Sequence, residues 1–140
     1  MSILILINSC VFFLLSLLHV YWAIGGKWGI NVAVPVQKDG QNVFQPGRIA
    51  TLIVAVGLFL FSIIVAGNLG LWNSQIDSRL ITVGTFIIGG VFLIRVIGDF
   101  KYVGITKHVK NTRFAESDNR IFIPLCLFVS LSCIIIGIWV

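Results

Sequence analysis

Charge placement constrains this chain more than any other feature. No Asp, Glu, Lys or Arg occurs from Met1 to Gly26, from Ile49 to Ile76, from Leu80 to Ile94, or from Ile121 to Val140. A helix needs about 20 mostly apolar residues to cross about 30 Å of hydrocarbon. The runs therefore predict four spanning helices near 3–24, 49–71, 80–99 and 121–140 in one membrane domain over 1–140. The third run reaches spanning length only if Arg95 is admitted. Composition agrees: 58% hydrophobic and 11% charged residues leave too little polar surface for a water-soluble globule. Disorder is excluded by the apolar content, and three cysteines are too few for a disulfide scaffold. Unbroken runs such as Ile3–Ile7 and Ile134–Ile136 argue against a membrane barrel, whose strands alternate. The first run has no Lys or Arg before it and no small-residue cleavage site before Lys27, so it is expected as a helix of the mature protein.

Four spans set loops 25–48 and 100–120 on one side, and both termini with loop 72–79 on the other. The first side carries eight cations, Lys27, Lys38, Arg48, Lys101, Lys107, Lys110, Arg113 and Arg120, against Arg79 alone on the second. The positive-inside rule then puts the long loops in the cytoplasm and both termini outside. Trp22, Trp28 and Tyr102 fall at the cytoplasmic interface, and Trp72 and Trp139 at the outer one.

The halves invite an overlay as two pseudo-repeated helical hairpins. Ile24-Gly25-Gly26-Lys27-Trp28-Gly29-Ile30 lies on Ile97-Gly98-Asp99-Phe100-Lys101-Tyr102-Val103-Gly104-Ile105 with two single-residue gaps, and Arg48-Ile49 corresponds to Arg120-Ile121. A duplication would explain this, and so would the Gly turns and basic flanks common to membrane hairpins. Small residues recur at helical packing intervals: Cys126, Ser130, Cys133 and Gly137; Ser62, Ala66 and Gly70; Thr85 and Gly89; Ser9, Ser16 and Ala23. Such stripes let membrane helices approach closely and predict an all-α four-helix bundle. In the first loop, Val34–Gln37 and Asn42–Gln45 flank Lys38-Asp39-Gly40-Gln41 and predict a short β-hairpin. Asp118 or Ser117 is expected to cap the fourth helix. Asn8 and Asn68 are expected to hydrogen-bond each other.

Several blocks together resemble a known family: Leu18-His19-Val20-Tyr21-Trp22-Ala23-Ile24-Gly25-Gly26-Lys27-Trp28-Gly29, Val34-Pro35, Pro46-Gly47, Thr51, Arg95-Val96-Ile97-Gly98-Asp99-Phe100-Lys101-Tyr102-Val103-Gly104, and Thr112-Arg113-Phe114. The chain is similar over nearly its whole length to a group of small four-helix bacterial membrane proteins defined only as a domain of unknown function. The resemblance implies a multi-pass protein of the bacterial inner membrane and leaves the activity open.

Arg95 and Asp99 stand four apart, as residues on one helix face do. An ionisable residue inside a span is a candidate functional group, although Arg95 is near enough to the helix end to snorkel and pair structurally with Asp99. His19 lies at similar depth. It is either a proton carrier facing a carboxylate such as Asp99 or an interfacial histidine bonded to backbone. Tyr21 and Trp22 read as interface anchors rather than a cofactor box. With Lys27, Lys101 and Tyr102, these residues predict a polar, basic pocket at the cytoplasmic side that binds or transports an anionic amphiphile or small molecule. Two other classes stay open: an intramembrane enzyme using His19 and Asp99 in acid–base chemistry, and an accessory or protective subunit of another membrane protein. No phosphate loop, dinucleotide fingerprint, zinc spacing or haem motif is present, so no cofactor and no metal are expected. Expected partners are anionic lipid headgroups, drawn to the basic loops at about 1 kcal/mol per cation, together with a second copy or a protein partner. Nucleic acid is not expected.

Overall fold

The computed structural model describes residues 1–37, 39, 41–71 and 76–140. Helix α1 (Ser2–Ala23) is about 33 Å long at 1.5 Å per residue, enough to cross a bilayer, and stops where Gly25 adopts φ 104°. After one short helix, α2 (Ile30–Ala33), the chain turns at Pro46-Gly47 into α3 (Arg48–Ala66). That helix runs on into a wide π-type turn, Gly67–Leu71, broken by Gly70 at φ 80°. The Asp77 carboxylate caps α4 (Ser78–Ile97) by accepting from the Arg79 N–H at 2.9 Å, and Gly98 ends it at φ 90°. Helix α5 (Arg113–Ser117), a second π-type turn (Asp118–Phe122) and α6 (Ile123–Trp139) form one continuous apolar helix, with Pro124 tolerated in the first turn of α6. Among the described residues, four helices are long and apolar enough to cross a membrane: Ser2–Ala23, Arg48–Leu71, Ser78–Ile97 and Arg113–Trp139.

Packing joins α1 to α3 and α4 to α6, so the bundle is two helical hairpins whose mutual contacts are sparser. Ile5, Phe12, Leu58, Val65, Ile88, Val129, Cys133 and Ile136 fill the centre. Since lipid is as apolar as this core, close fit and polar stitches must hold the helices. The small residues supply both. Ser16 Oγ donates to the Ala55 carbonyl at 2.7 Å, Ser62 Oγ to that of Ser9 at 2.8 Å, and Ser130 Oγ to that of Gly89 at 2.8 Å. Gly137 lies so close under Phe86 that a Cβ there would come within 2.8 Å of the ring.

Three expectations require correction. The β-hairpin of the first loop is not formed: the described residues contain no strand, only a single antiparallel bridge between Val36 and Asn42. The run before it is taken up by α2, and Pro35 has no N–H to give. Pairing is thus reduced to Gln37 N–H to Gln41 O at 2.7 Å and Val43 N–H to Pro35 O at 2.9 Å. Lys38 and Gly40 of that loop, and Trp72, lie outside the described residues. Asn8 and Asn68 do not bond each other. Asn8 Oδ1 accepts from Ser132 Oγ at 2.9 Å, and Asn68 Nδ2 donates to Thr85 Oγ1 at 2.8 Å, so each stitches a different pair of elements. The fourth long helix starts at Arg113 rather than near 121, and its cap is Thr112, whose Oγ1 accepts from the Ala115 N–H at 3.1 Å.

Candidate functional site

At the end of the bundle that carries the long loops, segment 98–109 folds back against the end of α4. Gly98 and Gly104, at φ 90° and 83°, bring two backbone stretches together so tightly that a Cβ on either would overlap the other. Asp99 fixes this turn: its Oδ1 accepts from the N–H groups of Lys101, Tyr102 and Val103 at 3.0, 2.7 and 2.8 Å. Slight burial pushes the carboxyl up, but those backbone donors outweigh it and hold Asp99 below the ordinary carboxylate value. Asp99 is therefore occupied by its own loop.

Arg95 pairs with Asp118 and not with Asp99. Gly98 ends α4 before Asp99, so the four-residue spacing no longer places the two on one face. Arg95 Nη2 donates to Asp118 Oδ1 at 2.8 Å, while Lys107 Nζ and the Gly104 N–H both donate to Oδ2 at 2.9 Å. Lys107 also donates to the Gly104 carbonyl at 3.0 Å and to Asn119 Oδ1. The Asp118 and Lys107 side chains are 0% and 2% exposed, against 31% for Arg95, so a buried hub ties α4, the loop and the π-type turn together. Two formal cations share one carboxylate, which leaves one positive charge in excess. Arg95 Nη1 is buried without a hydrogen-bond partner.

Arg95 also lines a groove of about 510 Å³ between the two hairpins. The walls are apolar, from Leu15, Leu18 and Trp22 on α1, Val54, Gly57, Leu58 and Phe61 on α3, Val91 and Phe92 on α4, and Phe122, Leu125 and Cys126 on the fourth long helix. His19 shares this wall, its Nδ1–H donating to the Leu15 carbonyl at 2.8 Å and its ring packing edge-on to Trp22 at 4.9 Å. A second cavity of about 380 Å³, lined by His19, Trp22, Ala33, Val34, Phe44 and the start of α3, adjoins the groove through His19, Trp22, Ala33 and Val54.

Of the residues singled out in the sequence, the fold thus brings Arg95, His19 and Trp22 to one groove. Tyr21 and Trp22 also pin the turn after α1: Trp22 Nε1–H donates to the Trp28 carbonyl at 2.8 Å, and Tyr21 Oη accepts from the Trp28 N–H at 3.4 Å. Asp99 and Tyr102 do not line the groove. Lys27 is exposed, and Lys101 lies exposed with its Nζ 5.0 Å from the centre of the Tyr102 ring. Lys107 and Asp118 are the residues that sequence reasoning missed as a site. The signal for them was Arg95 itself, which inside an apolar helix requires a counter-charge once the helix is seen to end at Gly98. Among the described residues no cluster of His, Cys, Asp and Glu has metal-ligating geometry.

Fold and site together define a multi-pass helical membrane protein with a basic apolar groove between two hairpins. Residues 12–133 match the family described as a protein of unknown function (DUF3995), and the chain belongs to that family. No curated protein matches the chain, and no solved structure does.

Proposed function

We propose that the protein binds an anionic amphiphile in the groove at the loop-bearing end, and that this end faces the cytoplasm of a bacterial cell across the inner membrane. The observation that carries the reading is Arg95 Nη1, a buried guanidinium nitrogen without a partner, on a hub with one cation in excess at the edge of an apolar groove. An unpaired donor so placed costs free energy that an anionic headgroup would recover. A groove of this volume falls within the usual range for small-molecule sites, about 300–1,000 Å³. The eight-to-one asymmetry of cations supports the orientation, and the exposed basic loop residues suit contact with anionic headgroups.

Gly57 offers a clean test. It lines the groove, and a Cβ there meets nothing within 4 Å, so Gly57→Leu fills the space without touching the charges. The protein would be purified in mild detergent and examined by native mass spectrometry beside Gly57→Leu and Arg95→Leu. A defined anionic adduct on the wild type, absent from both variants, is expected. An equal adduct on Gly57→Leu, or a bare chain throughout, would overturn the reading.

A further inference from the structure

The groove has a floor. Phe61 and Phe92 line it, and behind them sits Phe12, 0% exposed. The three rings meet with centroids 5.8 Å (Phe12–Phe61), 5.3 Å (Phe12–Phe92) and 6.4 Å (Phe61–Phe92) apart. They come from α1, α3 and α4, so a packed aromatic cluster closes the space between the hairpins at its inner end. Arg95, two residues before the end of α4, stands at the opposite end. From Trp22 to Leu15 on α1, and from Val54 to Phe61 on α3, the groove walls run about 10 Å at 1.5 Å per residue, well short of the ~30 Å hydrocarbon core.

We infer that the groove is a measuring slot, stopped at its inner end, for a short-chain monoanionic amphiphile, of which a fatty-acid carboxylate is the simplest chemistry. The inference rests on the anionic-amphiphile reading above and specifies it. One excess positive charge and one unpartnered guanidinium nitrogen match one anionic headgroup. The headgroup then sits at the depth of lipid headgroups and the tail points inward, as in a leaflet. An extended hydrocarbon chain advances roughly 1.3 Å per carbon, from bond lengths near 1.5 Å, so the slot holds about eight carbons before the chain meets the phenylalanines. The adjoining cavity, walled by Phe44, Gln45, Pro46 and the first turn of α3, lies toward the loops, so it gives a longer tail no room further into the hydrocarbon.

The test is titration of the protein in phosphatidylcholine nanodiscs with hexanoate, octanoate, laurate and palmitate, each corrected by protein-free nanodiscs. Corrected affinity is expected to rise from hexanoate to octanoate, then to level off. In Phe61→Ala, and less so in Phe61→Leu, the plateau should move toward laurate. Gly57→Leu should weaken every carboxylate by about tenfold or more, the scale set by losing the burial of a few tail methylenes in the filled groove. A plateau that stays in place in folded Phe61→Ala and Phe61→Leu overturns the slot. Phosphatidylglycerol displacing octanoate stoichiometrically also overturns it, while leaving a site for anionic amphiphiles. Dodecyltrimethylammonium binding as well as laurate would overturn both readings, because Arg95 would then have no part in recognition.

Discussion

Asp118 accepts from Arg95, Lys107 and the Gly104 backbone at once, and its side chain is wholly buried. A buried carboxylate of this kind is stable only while its donors remain, and the donors depend on it in turn. Asp118→Asn keeps the shape and removes the charge, which strands Lys107 in a buried site and leaves the partly exposed Arg95 without its counter-charge. It should cost about 3–5 kcal/mol, the usual penalty for breaking a buried ion pair from one side. Lys107→Met leaves Arg95 paired with Asp118 and should cost distinctly less. Added to Asp118→Asn, it should recover part of that loss, since one stranded cation is gone. Thermal unfolding of the three variants in detergent measures this. A cost for Asp118→Asn within the ±0.5 kcal/mol typical of surface changes would show that the hub carries no stability.

The turn joining α4 to the loop shows how an element can contradict a spacing rule. Arg95 and Asp99 stand at helical spacing, yet the helix that would align them ends at Gly98. Asp99 instead organises the backbone of the turn, and Arg95 finds its carboxylate 23 residues further on. Helix spans and packing stripes were legible because charge-free length and small-residue periodicity are properties of one segment. The hub and the first-loop bridge were not, since both depend on which distant segments meet. Asp-Gly signals a hairpin turn, but no local pattern reveals that α2 claims the residues before it. The turn itself is testable through pH. The Asp99 carboxyl is held below its ordinary value of 3.8. Its contribution is therefore complete above that pH and is lost as pH falls through the lowered value of the folded protein. The stability gap between wild type and Asp99→Asn should stay level from neutrality down to about pH 4 and shrink below it, as read from unfolding temperature against pH. A gap that widened in acid would mean that the carboxylate is not what the backbone donors stabilise.

At the scale of the whole molecule, the two hairpins are each tightly packed but only lightly joined. Gly25 and Gly29 in the first, and Gly98 and Gly104 in the second, share positive φ at matched places in their turns, 104° and 75° against 90° and 83°. The hairpins are thus alike in these turns and differ in their long loops: the second fills its loop with the Asp118 hub, the first leaves a cavity beside His19. Between them, Asn8 to Ser132 links α1 to α6, and Asn68 to Thr85 links the π-type turn to α4. Both links lie toward the ends of the bundle away from the long loops, whereas the groove opens near those loops. The hairpins are accordingly fastened at one end and parted by the groove at the other. A double-mutant cycle over Asn8→Ala and Ser132→Ala should give a coupling of about 0.6 kcal/mol, and at most ~1.7, the range found for polar pairs between membrane helices. The same cycle over Asn68→Ala and Thr85→Ala should fall in that range. Because both pairs are remote from Arg95, these variants should keep the carboxylate affinity of the wild type while unfolding at lower temperature. Zero coupling in both cycles would leave apolar packing alone to hold the hairpins together. Loss of affinity in a folded Ser132→Ala protein would show that the groove's width is set from the far end of the bundle.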